Sequence, residues 1–192
     1  LYTGCDGHAL RGPNDIVFDA AGGFYFTDLG KDRARELDRG GVYYAAANGS
    51  HIVSVVYGLD HPNGIALAPD GDVLYVAETH TGRVWSWDIV APGEVGPGRT
   101  PLGPGTLLMN FPGYQLIDSM AVERDGNLCV ATLITGAITV ISPSGEMLEQ
   151  VPVPGDDIFV TNICFGGEDM QTAFVTSSGR GLLYTTPWPR PG

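Results

Sequence analysis

One pattern occurs four times along this chain: a polar residue opens an alternating apolar strand, a tight turn follows, and a second apolar strand returns. The copies are Asn14-Asp15-Ile16-Val17-Phe18 with Phe24-Tyr25-Phe26, Asn63-Gly64-Ile65-Ala66-Leu67 with Leu74-Tyr75-Val76, Asp118-Ser119-Met120-Ala121-Val122 with Leu128-Cys129-Val130, and Thr161-Asn162-Ile163-Cys164-Phe165 with Ala173-Phe174-Val175. Gly and Asp fill the turns between them, Pro69-Asp70-Gly71-Asp72 and Asp125-Gly126 among them, as tight hairpins require. A repeat of roughly 50 residues that holds four short strands is the sequence form of a propeller blade, because one such sheet cannot bury both faces until neighbours stack on it. The expected fold is all-β: a β-propeller with about four blades of four-stranded antiparallel meanders, in a single domain over residues 1–192.

The first full blade is predicted at 14–19, 24–28, 41–47 and 51–58, and the second at 63–68, 73–78, 83–89 and 106–111. The β-branched run Ile52-Val53-Ser54-Val55-Val56 and the alternation in Val84-Trp85-Ser86-Trp87 suit strands and not helices. Asn48-Gly49 between two alternating runs reads as a two-residue hairpin turn in preference to a glycosylation acceptor. Leu1 falls in the approach to an inner strand, and the last copy has a third strand, Leu182 to Thr186, without a fourth. The expectation is a longer parent, about two blades larger, with the additional material mainly before Leu1.

Charge narrows the partners. Ten Lys and Arg against 22 Asp and Glu give a net charge of −12, a field that repels phosphate backbones and anionic lipid and tolerates a divalent cation. The expected partner is a small molecule, with neither nucleic acid nor membrane involved. The longest apolar runs, Val73 to Ala77 and Ala137 to Ile141, are too short to cross a bilayer, and the compartment expected is the cytoplasm. Cys5, Cys129 and Cys164 form no C-x-x-C pair; Cys129 and Cys164 sit inside apolar strand patterns, where a thiol acts as a small hydrophobe.

In a meander blade the innermost strand starts at one face of the disc, so the residues opening it in successive blades should ring the mouth of the central channel. Here those residues are Asn14, Asn63, Asp118 and Thr161, all bearing side-chain oxygen, while positions two and four further along are apolar in every copy. Amide oxygens with a carboxylate suit a hard cation such as Ca²⁺ or Mg²⁺; for any one of these residues taken alone, turn formation is the plainer explanation. The end of the second strand returns to the same face, making Asp28 and Glu78 further polar candidates, with simple solvent exposure as the alternative. The connection from Leu29 to Gly40, rich in mixed charge, should hang over this mouth as a substrate-binding lid or as a solvated loop. His61 precedes the second copy and lies near the same mouth, where a backbone- or water-satisfied loop histidine is the plain reading.

The segments Gly12-Pro13-Asn14-Asp15-Ile16-Val17-Phe18-Asp19, His61-Pro62-Asn63-Gly64-Ile65-Ala66-Leu67-Ala68-Pro69-Asp70-Gly71, Asp118-Ser119-Met120-Ala121-Val122 and Phe165-Gly166-Gly167 resemble the gluconolactonase, regucalcin and senescence-marker-protein group of six-bladed propellers. The resemblance implies one divalent cation in the central channel, Ca²⁺ first with Zn²⁺, Mg²⁺ or Mn²⁺ as alternatives, and a sugar lactone or related ester as substrate. It implies Asn63 and Asp118 as metal ligands, Asp118 also as the catalytic base, and Asn14 with its neighbour Asp15 as substrate contacts. Asp28, Thr161 and Arg11 complete the expected substrate-binding set; Arg11 stands one residue from the position of an arginine that some members carry, which is Gly12 here. The family's acidic ligand from the first blade has no counterpart in this chain. No G-x-S-x-G elbow, H-E-x-x-H, P-loop or dinucleotide fingerprint competes. Two other functions stay open at this stage: a propeller that binds a ligand or protein without chemistry, and an organophosphate or aryl ester hydrolase on the same scaffold.

Overall fold

The computed structural model describes residues 1–192 and contains strands and turns only. A short hairpin of β1 (Gly4–Cys5) and β2 (His8–Ala9) comes first. Four antiparallel meanders follow. Blade one is β3 (Pro13–Phe18), β4 (Gly23–Asp28), β5 (Gly40–Ala46) and β6 (Ile52–Leu59); blade two is β7 (Pro62–Leu67), β8 (Val73–Glu78), β9 (Arg83–Ala91) and β11 (Thr106–Asn110), with the two-residue β10 (Glu94–Val95) folded back on the end of β9. Blade three is β12 (Ile117–Val122), β13 (Leu128–Thr132), β14 (Ala137–Ile141) and β15 (Met147–Pro152), and blade four has three strands, β16 (Val160–Gly166), β17 (Thr172–Ser177) and β18 (Leu182–Pro187). The strands expected from sequence differ from these by a residue or two at their ends.

Period-two alternation determines how the blades stack, because successive side chains leave a strand on opposite faces. In β4, Tyr25 joins a cluster with Leu74, Val76 and Trp85 of blade two, while Phe24 and Phe26 turn to Cys5 of the leading hairpin. In β8, Leu74 and Val76 face blade one, and Tyr75 and Ala77 face Ile117, Leu128 and Val130 of blade three. The parity repeats once more in β13, whose Cys129 and Ala131 meet Ile163 and Val175 of blade four. Each fully buried Leu, Val, Ile or aromatic in these layers contributes about 1.5–3 kcal/mol. Cys5 and Cys129 are buried thiols. Cys164 departs from expectation: in β16 it is Ile163 that packs on blade three, so Cys164 leaves on the other face and is exposed.

Every inner strand pair carries a β-bulge at the same place. Pro13 pairs with Asp28 and Ile16 with Phe26; Pro62 pairs with Glu78 and Ile65 with Val76; Ile117 pairs with Thr132 and Met120 with Val130; Val160 pairs with Ser177 and Asn162 with Thr176. The extra residue in each case falls on the polar opening of the strand, at 14–15, 63–64, 118–119 and 161. A bulge locally bends the strand and re-aims its side chains, so it lets a polar pair leave the regular in-and-out alternation without disturbing the apolar positions behind it.

The last blade is tied to the third by one carboxylate. Glu123, fully buried, accepts hydrogen bonds from Trp188 Nε1 at 2.7 Å, Arg190 Nε at 2.6 Å and Asn127 Nδ2 at 2.8 Å. Burial works against the charge, but Arg190, Asn127 and Trp188 together hold its pKa below the ordinary glutamate value. Removing one member of a buried, fully bonded charge pair strands the others. Glu123→Ala should therefore lower the unfolding free energy by about 3 kcal/mol, read as a shift in the urea midpoint; an unchanged midpoint would show that the tail is not anchored there.

Candidate functional site

The bulges of blades one, two and three converge through named contacts. Asp15 Oδ2 accepts from the backbone N–H of Ile65 at 3.3 Å, its Oδ1 accepts from Ile16 N–H at 2.8 Å, and Ser119 lies near enough to lower its pKa. The Asn63 side chain lies beside the Asp118 carboxylate and helps to hold down its pKa. Thr27 links the same strands from behind: it accepts from Asp15 N–H at 3.1 Å and donates to the Asn63 carbonyl at 2.6 Å. The approach is close enough to require glycine, since a Cβ on Gly64 would stand 2.5 Å from the Asp118 carbonyl oxygen and 2.9 Å from Ser119 Cα. That Gly follows Asn63 is thus a packing condition for bringing blade two against the bulge of blade three.

Two carboxylates in this cluster are half-buried without a cationic partner. Burial raises the Asp15 pKa, with backbone and Ser119 hydrogen bonds opposing it. Burial pushes Asp118 up to about 6; the Ser119 N–H and Asn63 amide moderate the rise and the Asp15 charge adds to it. Asn63 is buried, and its Oδ1 has no hydrogen-bond partner. An orphaned amide oxygen beside an uncompensated carboxylate is an arrangement that a hard cation satisfies: it ligates the oxygens and offsets the charge. A half-turn of the Asn63 amide exchanges the positions of its oxygen and nitrogen, so either can be presented to a ligand beside Asp118. The residues present therefore fit a divalent cation held by Asn63 and Asp118.

The other expected residues fall in different places. Asn14 is exposed and makes no side-chain hydrogen bond; it lines an apolar recess with Leu10, Ile16 and Phe24, and at the bulge it is Asp15, not Asn14, that reaches blades two and three. Thr161 shares a hydrogen bond with Thr176 at 2.9 Å and lines, with Asp118, an open recess of about 650 Å³ between blades three and four. Asp28 corrects the expectation of simple solvent exposure. It is buried and not exposed, its oxygens accept from the backbone N–H groups of Arg11 at 2.7 Å, Gly12 at 2.5 Å and Gly30 at 3.2 Å, and it lines one cavity with Arg11. Glu78, at the matching position of blade two, likewise spends its oxygens on Asp60 N–H, Thr81 Oγ1 and Trp85 Nε1. Arg11 lines a cavity of about 330 Å³ against the leading hairpin, with Cys5, His8 and Tyr43, apart from the Asn63–Asp118 pair. The 29–40 connection is a tight charged hairpin, closed by the Asp32–Leu37 bridge and a two-pronged Arg33–Asp38 ion pair at 2.9 Å. Its Asp32 bonds to His61 Nε2 at 2.6 Å, a contact between positions 29 residues apart that carries no sequence signal.

Comparison with known proteins bears on the same residues. A family model described as the SMP-30/Gluconolactonase/LRE-like region matches residues 1–179. Lactonase drp35 of Staphylococcus aureus is 36% identical over 144 residues, 75% of this chain and 43% of that protein; the chain thus spans less than half the length of the curated relatives it matches. Among solved structures, a gluconolactonase from Xanthomonas campestris superposes with a TM-score of 0.76 at 27% identity, covering 98% of this chain and 61% of the other. A calcium-binding regucalcin from Agrobacterium tumefaciens gives 0.76 at 20% identity, covering 94% and 62%, which shows the shared propeller fold.

The raised Asp118 pKa has a stability consequence. A carboxyl whose folded pKa exceeds its unfolded value binds more protons folded than unfolded, here between about pH 4 and pH 6, so stability falls as pH rises through that window. With chelator present, Asp118→Asn should gain on the unsubstituted protein by about 1–2 kcal/mol between those limits, solvent at the open recess screening part of the effect, measured by denaturant unfolding at each pH. A pH-independent difference would contradict the half-buried, uncompensated carboxylate.

Proposed function

The chain belongs to the SMP-30/gluconolactonase/LRE-like family, and on that premise we propose that its blades carry cation-binding and proton-accepting groups of a hydrolase that opens a sugar lactone or a related ester. The observation that carries this reading is the pairing of Asn63 with Asp118 across two blades, each at the same bulge, with the amide oxygen unpartnered and the carboxyl pKa lifted to about 6. The names of the relatives point the same way: one is called a lactonase and another a gluconolactonase.

A divalent cation bound by the Asn63 and Asp118 oxygens would polarise a lactone carbonyl and lower the pKa of a water beside it. Ca²⁺ is our first choice, because the donors are oxygen alone. Asp118 would accept the proton that the attacking water loses; a bound cation would keep it ionised at neutral pH by offsetting the burial that raises its pKa. Asp15 accepts from the Ile65 N–H and so ties the bulge of blade one to that of blade two, on which Asn63 depends. Asn14, exposed at the neighbouring bulge, has both amide functions free for substrate hydroxyls, and Thr161 borders the recess on the other side of Asp118.

Turnover of a panel of lactones, aryl esters and phosphotriesters, with Ca²⁺, Zn²⁺, Mn²⁺ or Mg²⁺ added singly, tests the proposal. Lactones should be hydrolysed in a cation-dependent way, and Asp118→Asn should reduce kcat/KM by about 10² or more. Asn63→Ala should raise the cation concentration needed for half-maximal rate. If no panel member turns over, the family scaffold serves here as a binding propeller; if phosphotriesters or aryl esters outrun every lactone, the substrate class is wrong.

A further inference from the structure

Three residues far apart in sequence meet at the rim of a recess of about 290 Å³ beside Asn63: Asp32 from the charged hairpin, His61 from the entrance to β7, and His80 from the turn after β8. One ligand atom from each lies within 4.8 Å of the other two. The imidazole of His61 is buried, sits 3.7 Å ring to ring from that of His80, and is carried by a backbone at φ +49, a left-handed conformation uncommon for a non-glycine residue.

The bonding of His61 is the informative part. Its Nδ1 lies 2.7 Å from Asp60 Oδ1 and its Nε2 lies 2.6 Å from Asp32 Oδ1. An imidazolium donates from both nitrogens; burial works against that form, but Asp60 and Asp32 favour it and raise the His61 pKa. A metal ion at Nε2 would take the place of that second proton between the ring and Asp32. With Nδ1–H given to Asp60, Nε2 is the free ligand atom, which is the carboxylate–histidine–metal relation found at metal sites. His80 supplies a second nitrogen on the same side, and Asp32 an oxygen. Thr79 Oγ1, buried and without a partner, lines the same recess. Lys31 shares the rim but is exposed, with a stem long enough to keep its ammonium in solvent.

We propose that Asp32, His61 and His80 form a three-ligand site for a borderline divalent cation of the Zn²⁺ class, with Asp60 orienting His61 and the remaining coordination position open toward the recess. Two imidazoles and a carboxylate select such a cation over Ca²⁺ or Mg²⁺, which take oxygen ligands. Metal–ligand bonds of about 2.0–2.2 Å require the Asp32–His61 contact to widen, and Asp32, exposed on its hairpin, has room to do so. The site would clasp the 29–40 hairpin to blade two. Its three ligands are distinct from the donors assigned to the Asn63–Asp118 cation, with Asn63 on the wall between the two sites, and it does not depend on the lactonase reading.

Co²⁺ is the probe, because an N/O-ligated site of this kind gives it a visible ligand-field band. The chelator-stripped protein is titrated with Co²⁺ in excess Ca²⁺, which occupies the oxygen-only pair. One equivalent should bind, with a visible band and no displacement by Ca²⁺. His80→Ala and Asp32→Asn, both at exposed positions, should each weaken Co²⁺ by about tenfold or more and abolish or shift the band, while Asp118→Asn leaves both unchanged. No binding, competition by Ca²⁺, or a full equivalent retained in His80→Ala would each overturn the assignment, leaving His61 and Asp32 as an ion pair.

Discussion

Everything in this molecule depends on apolar side chains leaving each strand alternately to two neighbours. A blade cannot shield itself. Tyr25 needs Leu74 and Trp85, Tyr75 needs Ile117 and Leu128, and Cys129 needs Ile163. Because every strand serves two interfaces at once, a shift of one residue would swap the sets and expose both, so register is strongly specified. The strictness of that register is what places the four bulges at equivalent positions.

Acidic groups in this fold divide by what surrounds them. Asp28, Glu78 and Glu123 are buried among donors: backbone N–H groups for the first, hydroxyl, indole and backbone N–H for the second, and guanidinium, amide and indole for the third. These carboxylates organise loops and tails. Asp15 and Asp118 are also partly withdrawn from water, but with fewer donors and with each other as a neighbour, and their pKa values move upward. Charge left uncompensated in this way is more readily understood as preparation for a ligand than as a contribution to stability.

Strand positions were legible in the sequence because alternation and turn chemistry are local. The pairing of Asn63 with Asp118 also followed from a local signal, an oxygen-bearing residue repeated in phase. Three things were not legible. Whether Asn14 or Asp15 reaches the neighbouring blades depends on a bulge, which redirects adjacent side chains without marking the sequence. The burial of Asp28 depends on N–H donors from a loop 16 and 17 residues earlier. The meeting of Asp32, His61 and His80 depends on where a hairpin folds, and on a left-handed backbone at His61 that no residue preference announces. Cys164 shows the same limit, since its strand pattern says nothing about which of its two faces acquires a neighbour.

The recurrent bulge also bears on how such a protein can change over time. The residue it carries is excused from the alternation that packs the sheets, so it can vary among Asn, Asp and Thr from one blade to the next while the apolar layers behind it stay intact. Chemistry and folding are thereby assigned to different positions of the same strand. A lineage built on this scaffold can explore new ligand sets one blade at a time, with most of the mutational risk confined to the glycine beside Asn63, where any side chain would push two blades apart.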